Sequence, residues 1–240
     1  MFGEIFYQKC IACGAVCGNN FPVCPDCIEK LQKFTHRCEN CGYPSHVPAK
    51  ICGNCLNKKY YNNIFIEYVY SGSIKKLLRE IKFTYRIAGI HSLSTLAHLP
   101  SDKRYDIVTA VPSHFTRRFR RFTHPAQILA KYLAKQNGSE YENLLTRTRK
   151  TEYQYKLKRT MRINNVKNAF NCKKDLSSLK ILLVDDIITT GSTISECCRI
   201  LRRSGASDID VYALTGGMRV QNLEDKPNEH NYIKSIDASA

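Results

Sequence analysis

ILLVDDIITTGST, residues Ile181 to Thr193, sets four apolar residues before two adjacent carboxylates and a small, hydroxyl-rich turn. The unbroken apolar run predicts a strand buried on both faces of a parallel sheet and ending where Asp185 begins. Ligands of such sheets lie beyond that end of the strand. Two neighbouring carboxylates cannot both enter a core unpaired, so Asp185 and Asp186 are placed to accept hydrogen bonds from the vicinal hydroxyls of a sugar. Thr189, Thr190, Gly191, Ser192 and Thr193 then offer hydroxyls, main-chain N–H groups and the positive end of a helix dipole, which together suit a monophosphate. Gly191 lets the backbone approach the anion closely. Ile194, Cys197, Cys198 and Leu201 mark one face of the helix that follows, and Gly205 stops it. A doubly wound protein without such a ligand could also carry Asp at a strand end and Thr at a helix start. The complete string is more specific, and it predicts an α/β fold with a site for a 5-phosphoribosyl group.

The string resembles the phosphoribosyl-pyrophosphate (PRPP) loop of type I phosphoribosyltransferases. That resemblance implies that the acidic pair contacts the ribose hydroxyls and that the Thr/Gly turn holds the 5-phosphate. It also implies Mg²⁺, bound largely through oxygens of PRPP itself.

Composition narrows the class. With 43% hydrophobic residues in 240, the chain can build a core for one or two domains. No stretch approaches the roughly 18 apolar residues of a membrane-spanning helix, and the start, MFGEIFYQKC, lacks the apolar centre of a signal peptide. A cytoplasmic protein is expected, with its twelve cysteines reduced or on metal rather than in a disulfide framework. The net charge of +16 and pI near 9.4 suggest a polyanionic partner or an acidic membrane face. Between Arg117 and Lys174 there are 16 Lys/Arg against 3 Glu, so this segment alone supplies +13.

Residues 1–58 hold four CxxC pairs: Cys10/Cys13, Cys24/Cys27, Cys38/Cys41 and Cys52/Cys55, whose first cysteines recur every 14 residues. Each CxxC turn presents two thiolates to one tetrahedral ion, and two turns complete a Cys₄ zinc site. Eight ligands imply two structural zinc ions; sequential pairing of neighbouring turns, the expected arrangement, makes a double zinc ribbon, whereas alternating pairing would make a cross-braced unit. A single redox-active CxxC would explain one pair but not four at a fixed interval. Cys17, Cys172, Cys197 and Cys198 are expected to pack structurally, and His36 and His46 to lie on the surface. So short a segment has too little core to fold unaided, so metal is expected to hold it together.

Residues 59–220 read as the α/β domain and 221–240 as a polar tail. Ile64 to Tyr70 predict an opening strand. Ser73 begins a helix with Ile74, Leu77, Leu78 and Ile81 on its apolar face, and a second helix follows Tyr85. Asp106 to Val111 form another strand, closed by Pro112. The loop that follows, with Pro112, Ser113 and His114, lies across the crevice from Asp185 as the candidate pyrophosphate loop. His124 to Gln136 predict a helix, Arg147 to Phe170 a basic, tyrosine-containing arm, and Asp208 to Leu214 a further strand.

Three blocks together resemble the ComF family, competence proteins that join a zinc ribbon to a type I phosphoribosyltransferase-like domain. They are the tandem CxxC ribbon, the string Thr151, Gln154, Leu157, Arg162, Asn165 and Phe170, and the DDIITTGST loop. One departure is Arg121, Phe122, Thr123, His124, Pro125, where the family has Arg-Gly-Phe-Asn-Gln; the lead-in of Arg117, Arg118, Arg120 and Arg121 is kept. The resemblance implies handling of single-stranded DNA taken up during transformation. The candidate DNA contacts are Arg117, Arg118, Arg120, Arg121, Arg147, Arg149, Lys150, Lys156, Lys158, Arg159 and Arg162, with Tyr141, Tyr153 and Tyr155 as stacking surfaces or packing residues. Two other readings share the PRPP site. One is an enzyme that transfers ribose 5-phosphate to a nucleobase-like acceptor, for which the sequence names no catalytic side chain. The other is an adaptor whose ribbons recruit DNA-uptake proteins, placing the chain peripherally at the inner membrane face.

Overall fold

The computed structural model describes residues 9–17, 23–56, 60–84, 94–112, 124–148 and 166–217. At its centre is a sheet of five parallel strands: β3 (Ile64–Val69), β4 (Ile107–Ala110), β5 (Glu140–Tyr141), β8 (Lys180–Ile188) and β9 (Asp208–Gly216). Their spatial order is β3-β9-β8-β4-β5. Two two-residue antiparallel pairs accompany it, β1 (His36–Arg37) with β2 (Pro44–Ser45) and β6 (Thr146–Arg147) with β7 (Phe170–Asn171). The helices are α1 (Pro25–Glu29), α2 (Gly53–Leu56), α3 (Gly72–Thr84), α4 (Pro125–Asn137) and α5 (Ser192–Arg203).

Strand alternation divides the interior into two cores. Leu182 and Val184 of β8 join Tyr212 and Leu214 of β9, Leu129 and Leu133 of α4, and Ile74, Leu77 and Leu78 of α3. Ile181 and Leu183 face the other way, with Ile209, Val211, Ile194, Cys197, Cys198 and Leu201. Every apolar residue of the central run is thus covered, as a parallel sheet requires. The helical periodicity read from the sequence matches these faces, and Cys197 and Cys198 are fully enclosed packing residues; Ile81's side chain lies outside the described residues.

Helix α4 links β4 to β5 on one face, and α5 links β8 to β9 on the other. The strand order therefore reverses between β4 and β8, and the crevice beyond their carboxyl ends is the ligand position of this architecture. Pro125 stands at the start of α4, and Gly138, with φ of 71°, terminates it in the left-handed region. The helix runs from Pro125 to Asn137, one residue inside and one beyond the expected ends, with His124 as its N-cap.

One expectation is corrected. β8 does not stop at Asp185 but continues to Ile188, because β9 is equally long and keeps pairing with it: Asp185 opposes Ala213, Ile187 opposes Thr215 and Ile188 opposes Gly216. The alternation slips by one across the acidic pair. Ile187 packs with the core of Leu182 and Val184, and Ile188 with that of Ile181 and Leu183.

Candidate functional site

At the carboxyl edge of β8 the acidic pair is held by its own backbone. The Asp186 N–H donates to Asp185 Oδ1 at 2.8 Å, and the buried Thr215 hydroxyl of β9 donates to the Asp186 carbonyl at 3.1 Å. Asp186 is 9% exposed, while Asp185 is half-buried. Beyond Ile188 the chain turns through Thr189 and Thr190 into α5. Gly191 sits at the N-cap with φ of 75°, a left-handed conformation that glycine adopts without strain. A Cβ there would meet nothing within 4 Å, so conformation rather than crowding favours glycine. The Thr190 and Ser192 hydroxyls lie 3.0 Å apart, and the Ser195 N–H returns to the Gly191 carbonyl at 2.8 Å. The N–H groups that open a 12-residue helix thus follow two carboxylates in the last four residues of the strand before it, an arrangement able to take a phosphate and a diol together.

Across the crevice the Val111 N–H donates to the Val184 carbonyl at 2.9 Å, so the chain stays bonded to β8 up to the residue before Pro112. Ser113 and His114 lie outside the described residues, as do Arg117, Arg118, Arg120, Arg121, Arg149, Lys150, Lys156, Lys158, Arg159, Arg162, Tyr153 and Tyr155. Arg147 is described. It stands in β6 with its guanidinium 5.3 Å from the centre of the Phe170 ring. Tyr141 is half-buried against the core; its hydroxyl donates to Asn143 at 2.7 Å, and Lys131 lies 5.4 Å from its ring. Packing, the alternative to stacking on DNA, accounts for its position.

The two ends of the basic arm meet. Arg147 opposes Phe170 and Thr146 opposes Asn171, and the Thr148 N–H donates to the Ala169 carbonyl at 2.9 Å. This base is fastened to α5, because Glu196 accepts the Asn168 N–H at 2.6 Å and pairs with Arg199 at 2.7 Å. Arg199 also reaches the Asn168 side-chain oxygen at 3.1 Å. Asn168 has φ of 56°, a strained value that these contacts stabilise. Burial opposes ionisation of Glu196, but the Arg199 guanidinium and the Asn168 N–H outweigh it and lower its pKa. Two-residue strands leave no periodicity to read, so sequence reasoning missed this fastening.

The cysteines gather as sequential pairing predicts. Cys10, Cys13, Cys24 and Cys27 form one cluster and Cys38, Cys41, Cys52 and Cys55 the other, with the sulfurs of each cluster within 4.8 Å of one another. Short approaches include Cys13 to Cys24 at 3.8 Å and Cys41 to Cys52 at 3.7 Å. Burial opposes ionisation of Cys10, yet main-chain N–H groups, that of Cys24 at 3.3 Å among them, lower its thiol to about 6. Burial and the neighbouring thiols push Cys27 up to about 12. In the second cluster burial again resists ionisation of Cys55, but hydrogen bonds from Cys41 and the Asn40 amide lower it to about 7. Burial raises the Cys41 thiol. Closely packed, partly buried thiols of this kind cannot all ionise without a cation, and four sulfurs at these distances suit zinc. Cys17 packs against the core, as does Cys172. His46 is exposed as expected, whereas His36 is half-buried in β1.

The profile of the family described as Phosphoribosyl transferase domain matches residues 123–237. The DNA utilization protein YhgH of Salmonella typhi is 29% identical over 206 residues, 82% of this chain and 91% of that protein. Competence protein F of Haemophilus influenzae is 28% identical, with 88% and 98% covered. Competence protein ComFC of Bacillus subtilis is 27% identical, with 80% and 83% covered. Among solved structures, the glutamine PRPP amidotransferase of B. subtilis is 22% identical, covering 56% of this chain and 30% of that one, with a TM-score of 0.39.

Proposed function

We propose that this chain, which belongs to the ComF family of competence proteins with a phosphoribosyltransferase-like domain, binds PRPP and grips single-stranded DNA during uptake for transformation. The observation that supports the reading is that Asp185 and Asp186 lie within the last four residues of β8, and that the strand leads through the Thr190 to Thr193 turn into α5. In this reading the carboxylates accept the 2- and 3-hydroxyls of the ribose. The turn takes the 5-phosphate, and Pro112, Ser113 and His114 face the pyrophosphate. Mg²⁺, bound largely through oxygens of PRPP itself, would screen the pyrophosphate charge. Thr189 extends the hydroxyl set. Residues 1–58 form the zinc-bearing module, 59–220 the PRPP-binding domain and 221–240 a polar tail. The cations from Arg117 to Arg162 neutralise DNA phosphates, a sequence-tolerant and salt-dependent grip. The setting is the cytoplasm, peripheral to the inner membrane.

Calorimetry with PRPP and Mg²⁺ on the wild type and an Asp185→Ala/Asp186→Ala variant tests the site. Saturable binding that the variant loses supports it, and equal binding by both overturns it. Titration of a fluorescent oligo-dT at rising salt tests the grip; an affinity unchanged between 50 and 200 mM salt would refute it, since several phosphate contacts should weaken by orders of magnitude over that range. Release of pyrophosphate with a nucleobase present would favour the transferase reading instead.

A second reading, recruitment of a DNA-uptake protein by the ribbons, is favoured by one observation. The exposed large apolar side chains among the described residues, Val16, Ile28, Val47, Ile51 and Leu56, all lie in the cysteine module. A Val47→Ser/Ile51→Ser/Leu56→Ser variant that binds DNA normally but fails in transformation would support it; normal transformation would exclude it.

A further inference from the structure

The outer edge of β3 is met along its length by the cysteine module. The Val69 N–H donates to the Gln32 carbonyl at 2.8 Å, and Tyr68 forms an antiparallel bridge with Lys33. Arg37 Nη2 donates to the Ile66 carbonyl at 2.7 Å, and the Ile64 N–H donates to the Cys41 carbonyl at 2.8 Å. Cys41 therefore gives its sulfur to the second cluster and its carbonyl to the sheet. Gly42 follows with φ of 74°, and a Cβ there would lie 2.6 Å from the Ile64 carbonyl oxygen. The two clusters also enter opposite cores. Cys38 and Cys41 pack with Ile64 and Ile66, whereas Cys10, Cys24 and Cys27 pack with Tyr68, Ile74 and Leu77. Ser73, in the first turn of α3, hydrogen bonds to the Cys27 sulfur.

We infer that the double ribbon is a metal-set clasp on β3: metal in the Cys₄ clusters keeps the edge strand of the sheet covered and paired, and its loss releases that strand locally. The turn that presents the Cys41 carbonyl is closed by Gly42 N–H to Cys38 O and Cys38 N–H to Tyr43 O, both at 2.8 Å. Without a cation the four sulfurs of a cluster lose the charge that draws them together, and a module this short has little other core to hold its turns. Once the turn opens, Ile64 loses its acceptor; as the rest of the module loosens, Val69 loses Gln32 as well, and β3 becomes an uncovered edge able to pair with a second copy of the chain. Among the described residues, no main-chain hydrogen bond joins the ribbons to α4, β4 or β8, although Cys10, Cys24 and Cys27 share a core with α4.

The inference rests on metal binding by the two clusters, so zinc is counted by native mass spectrometry in the same samples. Hydrogen exchange of the full chain is followed for peptides spanning 64–69 and 125–137, zinc-loaded and after chelation. The expected result is two zinc ions in the loaded protein, at least a tenfold rise in exchange of β3 amides on removal, and unchanged protection in α4. β3 protection that survives complete removal overturns the clasp, and so does loss of α4 protection together with β3, which would mean global unfolding. A loaded protein that holds no zinc overturns the metal reading beneath it. Gly42→Ala, which keeps all eight thiols, gives an independent check: faster β3 exchange supports the clasp at either zinc count, and a protected β3 refutes it.

Discussion

Thr215 donates its hydroxyl to the carbonyl of Asp186 across two adjacent parallel strands, and that bond fixes the backbone from which both candidate ribose-binding carboxylates project. Thr215 is fully buried, so the acceptor would find no water if the donor were removed. Thr215→Val keeps the volume and deletes the donor. It should cost about 1–3 kcal/mol of stability, read by chemical denaturation, and weaken PRPP binding more than Thr215→Ser does.

Charge rather than packing should dominate at the acidic pair. Asp185→Asn and Asp186→Asn each remove one charged acceptor, worth about 1.5–3 kcal/mol in a hydrogen bond. PRPP affinity measured by calorimetry should therefore fall about 10- to 150-fold for each, with the thermal midpoint nearly unchanged.

Gly191→Ala tests the turn. Because a Cβ at this position touches nothing, the cost is that of holding alanine at φ of 75°, about 1–2 kcal/mol. PRPP binding should weaken by a similar factor while ribose 5-phosphate and PRPP lose affinity in parallel, since both use the same 5-phosphate contact.

Zinc retention should depend on pH in one direction. Thiols pushed up by burial, such as Cys27 at about 12 and Cys41, keep their protons at neutral pH when no metal is bound, so metal binding expels protons. Affinity must then fall as pH falls, by about tenfold per unit for each proton released. Competition with a chromophoric chelator between pH 8 and 6 measures the slope, and a flat profile would contradict it.

The fastening of the arm's base to α5 has its own pH signature. Glu196 has a lowered pKa in the folded protein, so its contribution to stability is complete above the ordinary Glu range and is lost as pH falls through the depressed folded value. Glu196→Gln should remove that acid-side dependence. It should also cost about 1–3 kcal/mol, since the Asn168 N–H would lose its charged acceptor.

The parts legible in the sequence are those with a local signature. Alternation between the two cores is written in Ile181 to Val184, the helical face in Ile194, Cys197, Cys198 and Leu201, and the cluster membership in the spacing of the cysteines. The carboxyl end of β8 was not legible, because it is set by the length of β9, a strand 20 residues later in the chain. The cover over β3 was equally hidden. It is made by main-chain groups of Gln32, Lys33 and Cys41 together with the Arg37 side chain, and a backbone carbonyl leaves no trace in residue type.

The bond from Thr148 to Ala169 joins the two ends of the basic arm at a single doorway. Residues 149–165, with six cations against one acid, are the stretch between these two bonded ends. Replacing them with a short neutral linker should leave melting behaviour and sugar-phosphate affinity intact while weakening capture of a polyanion such as oligo-dT, with Arg117, Arg118, Arg120, Arg121 and Arg147 still in place. On the proposed reading, selection can retune the arm's grip without disturbing the sugar-phosphate site.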